Sequence, residues 1–264
     1  MPTNSLIFAS AGLFAGILAG FLGIGGGTVL VPLLVALGYQ PVQAVATSSL
    51  SIVITATSGT IQNWRMGYIN YKNIFTIGLP ALITAQIGAY LADLFPPYLL
   101  LAAFAILLLV NIYLIQLRKS LKAREETRDR QTKNSDNKAT LSRLGTGAIA
   151  GLLAGLFGVG GGVIMVPLQI LLLGEKIKAA IQTSLGVIVI TSISACLGHA
   201  LRGNVLWIEG LLLGLGGLLG VQVSTRFLPR LPDQVVSLAF RILLGMLSIY
   251  VFWQAWQSYG RVAT

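Results

Sequence analysis

Apolar positions fall in ten runs separated by short polar breaks, at about 5–22, 28–38, 42–58, 71–92 and 98–117, then 143–157, 163–174, 179–196, 205–228 and 234–257. A tilted helix needs about 17–25 residues to cross a bilayer, and the third to fifth runs of each group of five are long enough. The second run of each group is too short to cross comfortably. It is expected either as a half-helix re-entering from a glycine-rich stop or as a short crossing helix enclosed by the others. Pro32 and Pro167 lie early in those short runs, where a missing N–H is best tolerated. The pattern predicts an all-α integral membrane protein.

The two groups of five are copies of one another. Phe21-Leu22-Gly23-Ile24-Gly25-Gly26-Gly27 recurs as Leu156-Phe157-Gly158-Val159-Gly160-Gly161-Gly162, and Ala15, Gly16, Ala19 and Gly20 fall on Ala150, Gly151, Ala154 and Gly155. After one inserted residue, Thr47-Ser48 falls on Thr183-Ser184, Asn63 on His199, Gln86 on Gln222 and Pro96 on Pro232. The chain therefore divides into a first membrane repeat over 1–117, a charged loop over 118–142 and a second membrane repeat over 143–264. Each repeat carries a glycine-rich helix break followed by its short helix.

Composition supports the membrane assignment: 55% of residues are hydrophobic and 10% charged, with a mean hydropathy of +0.81. Soluble domains carry about 25% charged residues. The net charge of +10 is no mark of a nucleic-acid binder, because half of the basic residues lie between Arg118 and Arg143, interrupted by Glu125, Glu126, Asp129 and Asp136. Such a run between apolar spans reads as a cytoplasmic connector in a cell-membrane protein, with lipid headgroups as its natural contact. Met1-Pro2-Thr3-Asn4-Ser5 has no basic side chain, so the first span is expected to be retained rather than cleaved as a signal peptide.

Charge also relates the repeats. With the loop 118–142 in the cytoplasm and an odd number of crossings per repeat, Arg65, Lys72, Lys176, Lys178, Arg226 and Arg230 all lie inside, with Arg202 and Arg261 outside. An even number moves Lys176, Lys178, Arg226 and Arg230 outside, although the matching first-repeat segments Gly38–Pro41 and Asp93–Pro97 carry no basic residue. Common ancestry with opposite charge bias predicts inverted topology.

The candidate chemistry gathers at the breaks. Gly25, Gly26 and Gly27, and Gly160, Gly161 and Gly162, cannot hold a helix cheaply, at roughly 1 kcal/mol each relative to alanine. Their N–H groups are open to a ligand, and a new helix starts at Thr28. A helix N-terminus facing a cavity offers unpaired donors and partial positive charge, which suits an anion. Thr47 and Ser48, with Gln182, Thr183 and Ser184, add hydroxyl and amide donors without a buried charge. Gln86 and Gln222 sit within long runs and must face the bundle interior. His199, read with Asn63 in a matched pair of loops at 62–67 and 198–203, is a possible proton carrier, and Arg241 is the one charge placed to face the interior.

Absences narrow the class. No Asp or Glu lies deep in an apolar run, which disfavours a cation pump or a carboxylate relay. One cysteine, Cys196, and one histidine leave no disulfide or metal cluster to build, and no motif asks for a cofactor. Ala56-Thr57-Ser58-Gly59 loosely resembles an intramembrane protease motif with His199 as base, but Ser58 falls on Ser194, which is followed by Ala195. The expectation is a transporter of a small anion rather than an enzyme. A passive anion channel and, more remotely, the intramembrane enzyme are the alternatives, and the oligomeric state is left open.

The paired GxGGG motifs, followed by Val31-Pro32-Leu33-Leu34 and Val166-Pro167-Leu168, and then Ala46-Thr47-Ser48 and Gln182-Thr183-Ser184, resemble those of the sulfite exporter TauE/SafE family. The resemblance covers nearly the whole chain apart from the central loop. It implies a multi-pass permease for sulfite, organosulfonates or related sulfur oxyanions. The second repeat has Gln182 where the first has Ala46, a departure from symmetry at the candidate site.

Overall fold

The computed structural model describes the backbone of residues 2–125 and 136–263 and the side chains of residues 5–114 and 140–260. The described residues form ten α-helices and one 3-10 turn, with no strand among them. In the first half these are α1 (Pro2–Leu22), α2 (Gly27–Ala36), α3 (Pro41–Arg65), α4 (Tyr71–Leu94) and α5 (Pro97–Glu125). In the second they are α6 (Asp136–Phe157), α7 (Gly162–Leu172), α8 (Ile177–Ala200), α9 (Trp207–Phe227) and α10 (Asp233–Ala263), with the turn Leu228–Arg230 after α9. All except α2 and α7 are long and apolar enough to cross a membrane. The loop expected over 118–142 lies partly outside the described residues, which end at 125 and resume at 136.

Small residues fix the packing. Gly12, Gly16 and Gly20 of α1 meet Leu213, Gly217 and Ser224 of α9 in ascending order, so the two helices run parallel. Gly147, Gly151 and Gly155 of α6 meet Ile77, Ala81 and Ala85 of α4 in the same way. Without a Cβ the backbones touch, which is how helices associate where lipid removes the hydrophobic drive. Leu50, Ile54 and Thr55 of α3 then follow Gly210, Gly214 and Gly217 along α9, and Ile74 and Gly78 of α4 follow Gly186 and Ile190 along α8. Two three-helix groups result, one of α1, α3 and α9 and the other of α4, α6 and α8.

The groups meet along α3 and α8, which run antiparallel. Ala46 clusters with Cys196, Ile52 and Ile188 both lie against Gly25 and Gly160, and Gly59 lies against Leu185. Helices α5 and α10 pair outside this centre and flank α2 and α7. Phe104 of α5 stacks on Phe157 at the end of α6, with ring centroids 5.5 Å apart.

Polar contacts define two faces. At one, Asn73 Nδ2 donates to Glu175 Oε1 at 2.7 Å, and Lys178 Nζ donates to Pro229 O at 3.0 Å and pairs with Asp233 at 3.5 Å. At the other, Asn204 Nδ2 donates to Asp93 Oδ1 at 2.9 Å and Tyr39 OH to Glu209 Oε1 at 3.4 Å. Arg65, Lys72, Lys176 and Arg230 lie at or next to helix ends on the first face, with Arg143 near Glu175, whereas the second face has Arg202, Asp93 and Glu209. Burial raises the pKa of Glu175, with Arg143 opposing. Burial, and then the charge of Glu209, raises that of Tyr39.

One sequence expectation is corrected. The matched loops at 62–67 and 198–203 are mostly helix: α3 continues to Arg65 and α8 to Ala200. Nothing before Gly67 or Gly203 stops the helix. Those glycines take φ of 76° and 72° and close it with paired turn bonds, Gly67 N to Trp64 O with Tyr68 N to Asn63 O, and Gly203 N to Ala200 O with Asn204 N to His199 O.

Candidate functional site

The two glycine segments lie face to face at the centre of the molecule. Helix α1 ends at Leu22, the chain turns back through residues with φ of 66° at Gly23, 75° at Gly25 and 84° at Gly26, and α2 starts at Gly27. Gly158, Gly160 and Gly161 repeat this with φ of 62°, 70° and 79° before α7 starts at Gly162. Only glycine adopts such angles in succession without strain. A Cβ on Gly27 would collide with Gly158 O, and one on Gly162 with Gly23 O.

Ile52 and Ile188 sit between the segments, both wholly buried. A Cβ on Gly25 would lie 3.2 Å from Ile52 Cγ2 and 3.3 Å from Ile188 Cγ2; on Gly160 the order reverses, at 3.3 and 2.8 Å. Both isoleucines lie near the middle of their helices, so the glycine segments lie at mid-depth. Helix α2 thus starts near the centre and returns to the face where α3 begins. At ~1.5 Å per residue, its ten residues cover about half the depth.

Donors remain free at this centre. No acceptor among the described residues meets the backbone N–H groups of Gly25, Gly26, Gly27 or Thr28, or those of Gly160 and Gly161. The Thr28 hydroxyl is buried and without a partner. Buried backbone donors are paired in the great majority of native sites, so unpaired ones next to two helix N-termini are what an anion would complete.

The remaining candidate residues divide. Ser48 Oγ donates to Gly158 O at 2.7 Å, and Thr191 Oγ1 donates to Gly160 O at 2.9 Å. A hydroxyl has one proton, so in this state Ser48 steadies the second glycine segment and has none left for a ligand. Ser184 Oγ accepts from Gln169 Nε2 at 3.0 Å. Thr47 Oγ1 accepts from Leu206 N at 3.1 Å, at the turn between α8 and α9. Gln182 and Thr183 are buried in the first turns of α8; at roughly 100° per residue they turn away from the face that carries Ile188.

Gln86 and Gln222 make matching straps. Gln86 Nε2 donates to Ser194 O at 2.6 Å and lies 3.2 Å from Ser194 Oγ. Gln222 Nε2 donates to Ser58 Oγ at 2.8 Å and lies 3.3 Å from Ser58 O. Ser58 is thus held by Gln222, and His199 Nε2 meets Gly155 O at 2.9 Å near the opposite face; the two are not brought together. Arg241 is half-buried on α10, its Nε donating to Ser237 O at 3.4 Å, and sits outside the α3–α8 pair.

Sequence reasoning passed over Ile52, Ile188 and Thr191. Their signal was present, because Ile52 and Ile188 occupy matched central positions of the third runs, but isoleucine in an apolar run reads as packing. Asn63, which the sequence marks only as the match of His199, is wholly buried, and neither side-chain amide atom has a partner among the described residues.

The family model described as "Sulfite exporter TauE/SafE" matches residues 8–251. The chain is 29% identical to the probable membrane transporter protein YunE of Bacillus subtilis, covering 94% of this chain and 97% of the relative. It is 30% identical to the probable membrane transporter protein YjnA of the same organism, over 89% and 96%. To the probable membrane transporter protein MJ0441 of Methanocaldococcus jannaschii it is 29% identical, over 71% and 69%. No solved structure matches the chain significantly.

Proposed function

The chain belongs to the sulfite exporter TauE/SafE family and is a multi-pass membrane transporter by that membership; on that premise we propose that it carries small sulfur oxyanions, sulfite or organosulfonates, across the cell membrane. The anion binds near mid-depth, where the two glycine segments face each other. One observation carries this: two matched triplets of glycines lie at the start of α2 and α7, and no acceptor among the described residues meets the N–H groups of Gly25, Gly26, Gly27, Gly160 or Gly161. Such donors fit an oxyanion and refuse a cation.

The carrier is built from two inverted repeats, α1–α5 and α6–α10, joined by a cytoplasmic loop. Inversion draws support from α3 and α8, matched helices that cross antiparallel at Ile52 and Ile188. An axis relating them lies across the helices and hence in the membrane plane. The cytoplasmic assignment draws on the face that gathers Arg65, Lys72, Arg143, Lys176 and Arg230, because basic residues collect inside.

Purified protein in proteoliposomes tests this. Sulfite and a set of organosulfonates should enter with saturation and counterflow, and carboxylates of similar size should not. Flux without saturation or counterflow would make the protein a channel. A cysteine at the exposed position Gln40 should be labelled from outside the cell and one at Lys176 only from inside; equal sidedness would mean parallel repeats.

A further inference from the structure

His199 is wholly buried in the last turn of α8, and its two ring nitrogens stand in different positions. Nε2 lies 2.9 Å from the carbonyl oxygen of Gly155, on α6. A carbonyl only accepts, so Nε2 carries the proton and the neutral ring keeps a bare lone pair at Nδ1. Nδ1 is buried and has no partner among the described residues. A structural strap between α8 and α6 accounts for Nε2 but leaves Nδ1 unexplained, and a buried unpaired acceptor costs about 1–3 kcal/mol.

Its place in the fold supplies a reason. His199 lies three turns beyond Ile188, and at roughly 100° per residue both project from the same face of α8, the face that meets the glycine segments. At ~1.5 Å per residue it stands about 16 Å from mid-depth, at the face of Asp93 and Asn204. On α3, Asn63 holds the matching place beyond Ile52 towards the opposite face, also wholly buried and with its amide unpaired among the described residues. The central stripe of each helix thus ends in an unsatisfied polar side chain, one at each face.

We infer that Nδ1 of His199 is a proton-operated contact for the transported anion at the face opposite the basic helix ends. This rests on the carrier function proposed above. In the neutral ring the Nδ1 lone pair repels an oxyanion. Once Nδ1 takes a proton from the aqueous face, the same atom is a donor on a cation and pairs with a monoanion. The proton returns to water when the anion leaves.

The charges acting on the ring are few. Arg202 follows α8, and Asp93 ends α4. Tyr90 of α4 lies under the Arg202 guanidinium, 5.3 Å from charge to ring centroid. Cys196 lies one turn back on α8 itself. Helices α3 and α6 carry their only described charges, Arg65 and Arg143, towards the other face, and α7 carries none.

Because the chain has one histidine, its imidazole nitrogens can be read without ambiguity. With 15N-histidine-labelled protein in lipid nanodiscs, NMR should show proton on Nε2 and none on Nδ1 near neutrality. Methanesulfonate, a monoanion across that pH range, should raise the imidazolium population several-fold at constant pH. In proteoliposomes, methanesulfonate uptake should rise as the medium on this face is acidified, by up to tenfold per pH unit. His199→Gln keeps an amide N–H for Gly155 O but cannot titrate, so its uptake should be flat with pH. An unchanged imidazolium population, a pH-flat wild type or a glutamine variant with the wild-type response each overturns the inference and leaves the carrier standing. Anion-dependent protonation without flux of any sulfonate supports the contact and overturns the carrier instead.

Discussion

Gly27→Ala and Gly162→Ala separate a site at the facing glycine segments from mere packing. Gly26 and Gly161 are poor places for such a test, since their φ of 84° and 79° would strain any side chain whether or not a ligand binds there. Gly27 and Gly162 have no positive φ, so alanine acts through space alone. A Cβ on Gly27 collides with Gly158 O and lies 2.8 Å from both Ile52 Cδ1 and Val159 Cα. On Gly162 it collides with Gly23 O and lies 2.7 Å from Ile188 Cδ1 and 3.0 Å from the Gly23 carbonyl carbon. The isoleucine methyls can rotate aside, but the backbone atoms cannot. Ordinary contacts lie beyond about 3 Å to oxygen and at about 3.5–4.0 Å to carbon, and the carbonyl collision is the tightest, so the two segments must part by roughly 1 Å or more. Such overpacking costs about 1–3 kcal/mol. Thermal unfolding in detergent should show a drop of a few degrees, with the protein still folded and membrane-inserted. Sulfite flux should fall at least tenfold in either variant, because the donors of one segment no longer face those of the other at ligand distance. Two folded variants with wild-type flux would show that the face-to-face geometry is not the anion site.

Gly145→Ala, on an exposed turn of α6 where an added Cβ meets nothing within 4 Å, should leave flux unchanged and raise stability by up to ~1 kcal/mol. Glu175→Gln probes the half-buried carboxyl between α7 and α8. Its folded pKa is raised by burial, so the folded state holds this proton more tightly than the unfolded chain, and stability is lost as pH rises from the ordinary carboxylate value through the raised one. The glutamine variant should be more stable than wild type at neutral pH and equal to it in acid, read by unfolding temperature. Gly155→Ala should destabilise more than Gly20→Ala: the added Cβ meets backbone Ala85 O and Ala89 N in the first case and chiefly the rotatable Ser224 Oγ in the second. Unfolding temperatures that match for the two would contradict that distinction.

Most of the helix plan was legible because each boundary is written in residue types that act locally. Pro41 and Pro97 open α3 and α5, and the apolar runs that follow them are too long for anything but crossing helices. The glycine triplets were legible as stops for the same reason. What they face was not legible, because the collision of Gly27 with Gly158 is a contact between segments far apart in sequence. Hydroxyl roles were equally hidden: Ser48 and Thr191 look alike on paper, and only tertiary packing shows that both donate to carbonyls of the second glycine segment. The loops read at 62–67 and 198–203 failed because polar residues such as Gln62 and Asn63 were taken as the end of the helix, when only the glycine beyond them ends it.

The packing also indicates where a carrier of this shape can move. Within the group of α1, α3 and α9, glycines bring backbone against backbone at Gly12, Gly16 and Gly217, and the group of α4, α6 and α8 does the same at Gly88, Gly151 and Gly155. Contacts this close leave no slack, because a shift of a fraction of an ångström puts a carbonyl inside a neighbouring Cα. The pairs α1–α9 and α4–α6 are therefore stiff, and each draws one helix from each half of the chain. Between the groups, glycine backbones touch only at the centre, Gly27 against Gly158, Gly162 against Gly23 and Gly158 against Val45, with Ile52 and Ile188 around them. Towards the two faces lie Asn63 and His199, which have side-chain atoms without a partner among the described residues and gain when water or an anion reaches them. Rocking of one group against the other along α3 and α8 would, on the proposed function, be the rigid-body closure that switches access. On the proposed function the glycine segments lie at the pivot, so the donors hold their mutual geometry while the Asn63 end and the His199 end open in turn.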